Sequence, residues 1–219
     1  MSSKLEELKN TATADFEAGK KAFHDAMAKA QSQIDAATNE IHTLRTDLKT
    51  QTAEAKAKTI ARVDELTKHL DEVRKERQDK IEARLKELHA AIGSINAELK
   101  HASAEKKAFA EAKAKAVREE YDSARSTLAA SLDEELAEWK ARIGALADSA
   151  AEKKEDTTAA VQAKIADLHA KHAAAQKKLH ALKRANAAAF GELHHGMRKA
   201  IGEVNTAVQR ARADIASAS

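Results

Sequence analysis

Apolar residues recur every three or four positions along almost the whole chain. The pattern starts with Leu5, Leu8, Ala12 and Phe16, and steps of this size place residues on one face of an α-helix. The sequence contains no proline, so no position lacks the amide hydrogen that a helix needs. The pattern therefore predicts an all-α protein built from long amphipathic helices. It ends with the run Leu193, Met197, Ile201, Val204, Val208, Ala211 and Ile215.

The apolar pattern thins at four places, within residues 48–60, 99–109, 146–161 and 182–190. In the third region Ser149 precedes Glu152 by three residues, which is the capping-box spacing of a helix start. Turns at the first three regions predict one elongated domain over residues 1–219. Its helices would lie near 4–49, 58–101, 105–147 and 151–217. Such lengths predict an elongated antiparallel bundle of about four helices or an extended coiled coil.

The period of the apolar positions helps to choose between these two forms. Ten positions from Leu66 to Leu99, including Arg77, advance 33 residues in nine steps, or about 3.67 residues per step. Seven positions from Val161 to Leu182, including His172, advance 21 residues in six steps, which is the heptad value. Because mixed periods favour little supercoiling, a bundle is the better prediction than a two-stranded coiled coil.

Alanine dominates the predicted buried face. The chain has 52 alanines and six aromatic residues, and alanine buries little apolar area. The core of an isolated chain is therefore expected to be thin, and a partner is expected to complete it. This predicts a structural protein that self-associates as a homo-oligomer, or one that binds a lipid surface or hydrophobic granule.

Charge is distributed unevenly along the chain. Residues 1–150 carry 26 basic and 28 acidic residues, whereas residues 151–219 carry 12 basic and 7 acidic residues and five of the ten histidines. A basic segment of this kind suits an anionic partner such as lipid headgroups or, less strongly, nucleic acid. The candidate contacts to an anionic surface are Lys164, Lys171, Lys177, Lys178, Lys183, Arg184, Arg198, Lys199, Arg210 and Arg212.

Two Glu-x-x-His pairs, Glu98/His101 and Glu192/His195, have the spacing found in di-iron carboxylate sites. Both His101 and His195 point away from the apolar face, and a buried metal site needs both members of each pair inside. We therefore predict no metal ligands here.

His169 and His172 lie one helical turn apart and could in principle bind a metal or change charge near pH 6. A core histidine at position 172 beside an exposed one is the better interpretation. Trp139 and Tyr121 also fall on the apolar face, as core residues would. The sequence has no cysteine, nucleophile elbow, phosphate-binding glycine loop or zincin motif, so we predict no enzyme activity and no cofactor.

The N-terminal residues lack the apolar run of a signal peptide, and no stretch approaches the roughly 18 apolar residues of a membrane span. These features predict a cytoplasmic protein without a transmembrane segment, either free or peripheral to a membrane or granule.

The eleven-residue spacing of Phe16 and Met27, with the Ala/Lys/Glu-rich composition, resembles exchangeable apolipoproteins and bacterial phasins. Segments 52–58 and 110–115 also resemble late-embryogenesis-abundant repeats. The resemblance implies amphipathic helices that coat lipid or a storage granule, and it identifies no functional residue. A membrane-shaping dimer of the BAR type, or nucleic-acid binding through residues 164–212, are the alternative functions.

Overall fold

Five helices make up nearly all of the chain that the computed structural model describes, which is residues 2–48, 50–152 and 159–217. Side chains are described over 13–213 within these ranges, apart from 53, 105, 149, 151, 152, 187 and 188. No strand occurs in these ranges, which confirms the all-α prediction. The helices are α1 (Ser2–Asp47), α2 (Ala53–His101), α3 (Ala104–Glu152), α4 (Ala159–Arg184) and α5 (Ala187–Ser217).

The helices group into two units, residues 1–125 and 126–219, which we describe separately. The first unit contains α1, α2 and the part of α3 up to Arg125, and the second contains the rest of α3 with α4 and α5. The single elongated domain, like the coiled-coil alternative, stays a prediction.

In the first unit α1 and α2 are antiparallel neighbours. Their contacts join Glu40 to Arg62 and Gln31 to Arg77, so residue numbers fall on α1 as they rise on α2. Apolar residues three or four positions apart on both helices form one buried cluster, which is the packing that their spacing predicts. Its members are Ala30, Ile34, Ala37, Ile41, Val63, Leu66, Leu70 and Val73.

In the second unit the apolar faces of α4 and α5 are also buried. His172 is 6% exposed and occupies the stripe position that the heptad spacing predicts, and His169 beside it is exposed. Trp139 on α3 is 3% exposed, as expected of a core residue. The other buried members of the stripe are Leu168, Ala175, Leu179 and Leu182 on α4 and Met197, Ile201, Val204, Val208 and Ala211 on α5.

The fourth predicted helix, 151–217, is wrong as a single element, because the chain breaks at Ala185 and Asn186 to give α4 and α5. The Asn186 side-chain oxygen accepts a hydrogen bond from the amide of Ala189 at 2.9 Å. This is the bond of a helix N-cap, in which a side chain satisfies an amide that has no partner within the helix. The thin region at 182–190 was therefore a fourth turn.

The third predicted helix, 105–147, ends later in the structure than predicted. Helix α3 runs to Glu152, so Ser149 lies inside a helix and does not cap the start of one. Residues 153–158, between α3 and α4, lie outside the described part of the chain. The predicted turns near 50 and 103 correspond to breaks between α1 and α2, at residues 48 and 50–52, and between α2 and α3, at residues 102–103. Helix α2 starts five residues before its predicted position.

Candidate anion-binding seam

Basic residues of α4 and α5 meet along the line where these two helices lie side by side. Lys164, Lys171 and Lys178 are spaced by seven residues, so they follow one edge of the apolar stripe of α4. The ammonium group of Lys178 donates a hydrogen bond to the Gly196 carbonyl of α5 at 3.3 Å. Since the rise of a helix is 1.5 Å per residue, these three lysines span about 21 Å.

A groove of about 600 Å³ lies on this side of the second unit, between α4 and α5. Its walls include Lys164 and Lys171 from α4 and Lys199 and Arg210 from α5. We call these four residues, together with Lys178, the basic seam. The alkyl side chains of Leu168, Ala207 and Ala211 form an apolar part of the groove lining.

The other five predicted cations lie elsewhere. Lys183 forms an ion pair of 2.7 Å with Asp133 of α3, so it links helices within the unit. Lys177, Arg184 and Arg212 are exposed but do not line the groove, and Arg198 is half-buried. The structure thus brings together half of the ten residues predicted from the sequence.

Three polar groove residues were not predicted. Asp167 pairs with Lys171, Glu203 is exposed, and the Thr206 hydroxyl donates to the Gly202 carbonyl at 2.9 Å. Asp167 lies three residues after Lys164, a spacing that places both on one side of α4 and could have indicated their proximity. The groove therefore combines four cations with two carboxylates.

A separate charged cluster lies inside the first unit, centred on Glu120 of α3. Its carboxylate is 2% exposed and lies 3.6 Å from His24 Nε2 of α1 and 3.6 Å from Arg84 Nε of α2. At this distance the contacts are ionic rather than hydrogen bonds. The Arg84 guanidinium also lies 5.7 Å from the ring centre of Phe16. The sequence could have indicated this buried charge, because Glu120 follows Val117 by three residues and so falls on the buried face of α3.

The ring side chains of His172 and Tyr121 lie in the interior, next to polar neighbours. His172 Nε2 lies 2.8 Å from the Leu136 carbonyl, and since a carbonyl only accepts, this nitrogen carries the hydrogen. Burial raises the pKa of the Tyr121 phenol, while the charge of nearby Arg125 acts in the opposite direction.

The described residues contain no group of three histidine or acidic side chains placed to hold a metal ion. The residues of the two Glu-x-x-His pairs, Glu98, His101, Glu192 and His195, are all exposed. None of the helices in the described parts of the chain combines the length and apolar character needed to cross a bilayer.

Comparisons with protein-family models, with curated protein sequences and with solved structures find no match to this chain. The resemblance to apolipoproteins and phasins therefore stays a prediction.

Proposed function

We propose that this chain is a non-catalytic helical protein that binds an anionic lipid surface through the basic seam of α4 and α5. The observation that supports it is the convergence of five cations from two helices along one line about 21 Å long. Four of these cations line the groove with two carboxylates, so the groove lining keeps a net charge of about +2, which attracts anions.

Electrostatic attraction, rather than insertion of apolar side chains, supplies the binding energy in this proposal. Each lysine or arginine near an anionic bilayer contributes about 1 kcal/mol, and the contribution falls as salt screens the charges. Among the described side chains, Ile60 is the one large apolar residue that is strongly exposed, at 47%. It lies on α2, in the other unit.

Lipid is favoured over nucleic acid by the position of the aromatic residues. Binding of single strands uses exposed aromatic rings on which bases stack. Phe190 and Trp139 of the second unit are buried, and the first unit buries Phe23 and Tyr121. Phe16 and Phe109, which are half-buried, also belong to the first unit. The described part of the second unit therefore offers cations without an exposed aromatic ring on which bases could stack.

Self-association, granule coating and a BAR-like dimer stay as proposals from the sequence. Coating through the apolar stripe would require the helices of a unit to separate, because Leu168, Met197 and Val204 are each at most 1% exposed. Binding through the seam needs no such opening, which is why we place it first.

The test is sedimentation of the full chain with phosphatidylcholine vesicles, with and without phosphatidylserine. We expect binding only to the anionic vesicles. The combination of Lys171→Glu and Lys199→Glu should weaken it by at least about thirtyfold, since two attractive charges of about 1 kcal/mol each are lost and replaced by repulsive ones. The control combines Lys177→Glu with Arg184→Glu, which makes the same change in net charge on exposed positions outside the groove.

The control should lose less than the seam variant. Equal losses would mean that overall charge, and not the seam, determines binding, and would overturn the proposal. Failure of the unaltered chain to bind phosphatidylserine vesicles, with salt-sensitive binding to DNA instead, would also overturn it and would favour the nucleic-acid alternative.

A further inference from the structure

The charges that line the groove alternate in sign along both helices. On α4 the order is Lys164, Asp167, Lys171, and on α5 it is Lys199, Glu203, Arg210. Each carboxylate thus lies between two cations in the sequence of its helix. The cations are about 10 Å apart along α4 and about 16 Å apart along α5, given the rise of 1.5 Å per residue.

The helix pairing sets the level of each charge of α4 against those of α5. Lys178 contacts Gly196, and the chain directions on the two helices are opposite. Lys164 therefore lies level with Arg210 at one end of the groove, and Lys171 lies level with Glu203. Lys199 lies about one helical turn beyond them, at the other end. The groove has cations towards both ends and carboxylates between them.

We propose that this groove binds a phosphorylated polyol, the chemical class of an inositol phosphate headgroup, with phosphates at the ends and hydroxyl groups in the middle. Lysine and arginine bind phosphate oxygens through charge-assisted hydrogen bonds. Carboxylates only accept hydrogen bonds, so Asp167 and Glu203 suit hydroxyl donors and repel a phosphate. The proposal rests on the proposed function, and it specifies which anionic headgroup the seam prefers.

The size of the groove fits a ligand of this class. Its volume of about 600 Å³ lies within the range of small-molecule sites, roughly 300–1,000 Å³. Gly202 lines the groove, and a β-carbon added there would meet no atom within 4 Å. A larger side chain at position 202 can therefore fill the groove without displacing its neighbours.

The first test compares inositol trisphosphate with inorganic tripolyphosphate by titration calorimetry on the full chain. Both carry three phosphates, but only the first has hydroxyl groups. We expect inositol trisphosphate to bind more tightly. The variant Glu203→Gln should lower the affinity for inositol trisphosphate, because it removes a carboxylate that accepts from the hydroxyl groups. It should raise the affinity for tripolyphosphate, because it removes a repulsive charge from the middle of the groove. Tripolyphosphate binding to the unaltered chain as tightly as inositol trisphosphate would overturn the proposal.

The second test blocks the groove without changing its charge. Gly202→Leu should lower the affinity for inositol trisphosphate by about tenfold or more, because the side chain occupies the ligand's volume. The matched control is Gly191→Leu, eleven residues earlier on the same helix, where an added β-carbon also meets no atom within 4 Å. Equal affinities of the two variants would show that the ligand does not lie in the groove, and would overturn the proposal.

Vesicles separate this proposal from the one on which it rests. At equal total charge, we expect stronger binding to phosphatidylinositol bisphosphate than to phosphatidylserine, and the preference should disappear in Gly202→Leu. Equal binding to both lipids would overturn the headgroup proposal and leave seam binding intact. Absence of binding to either lipid would overturn both.

Discussion

The first unit buries charged side chains between its helices, whereas the second unit carries its main group of cations on the outside of α4 and α5. Glu120, Arg74 and Arg77 are at most 8% exposed in the first unit. The contacts of Glu120 with His24 and Arg84, and the bond from Arg77 to Gln31, join different helices. In the second unit the buried Arg142 pairs with Glu138 of its own helix.

The difference shows two uses of charge on similar helices. A buried polar contact between helices is satisfied only when the correct residues face each other, so it can fix the register of a thin, alanine-rich core. Cations on an outer seam contribute little to stability, and their charge acts on a partner that approaches this side.

The stability of the second unit should depend most on the buried ring of Trp139. Trp139 is 3% exposed, and the Arg142 guanidinium lies 4.4 Å from its ring centre. We expect Trp139→Ala to lower the free energy of unfolding by about 4 kcal/mol, through lost burial and a cavity. Urea denaturation followed by circular dichroism measures this change. Trp139→Phe, which keeps a ring beneath Arg142, should lose clearly less, and an equal loss would contradict the cavity argument.

The first unit should depend on the charge of Glu120. Glu120→Ala leaves the partly buried Arg84 without this carboxylate, and we expect a loss of about 3 kcal/mol in the free energy of unfolding. The control is Glu119→Ala, whose side chain is 69% exposed and should contribute little. A double variant, Glu120→Leu with Arg84→Leu, should be more stable than Glu120→Ala, because it leaves no buried charge unpaired. Similar losses in Glu120→Ala and Glu119→Ala would remove the distinction between the two units.

Replacing one helical glycine in each unit with alanine should have the same small effect on stability. Gly93 of α2 and Gly144 of α3 lie inside helices, and an added β-carbon would meet no atom within 4 Å at either position. We expect Gly93→Ala and Gly144→Ala each to raise the free energy of unfolding by about 0.5–1 kcal/mol, because alanine restricts the unfolded chain and favours the helix. Thermal denaturation would register this as a small upward shift. Destabilisation by either substitution would indicate a packing role for that glycine.

The smallest effect is the loss of stability at alkaline pH that comes from the phenol of Tyr121. It concerns the first unit alone, since Tyr121 is the single tyrosine of the chain. Burial raises its pKa, so folding favours the protonated phenol. Its contribution is present below the ordinary pKa of about 10 and is lost as the pH rises through the higher folded value. The stability of Tyr121→Phe should therefore fall less between neutral and alkaline pH than that of the unaltered chain. Equal falls in urea denaturation would refute this linkage.

Local periodicity was sufficient to predict most of the buried face. Arg77 and His172 were placed on the stripe from spacing alone, and both are buried. The missed break at Asn186 has a local cause, because a single asparagine cap in an alanine-rich run leaves little trace in the apolar pattern. The helix start predicted at Ser149 was wrong because the capping-box spacing of Ser149 and Glu152 also occurs inside a helix, and α3 continues to Glu152.

The sequence by itself determined the helices, their inward faces and the basic character of the last quarter, because each depends on neighbouring residues or on composition. Only the tertiary structure decided that Lys164, Lys171, Lys199 and Arg210 share a groove while Lys183 pairs with Asp133. It likewise placed Glu120 between His24 and Arg84. These relations depend on how one helix lies against another, and side-chain spacing within a helix does not encode that alignment.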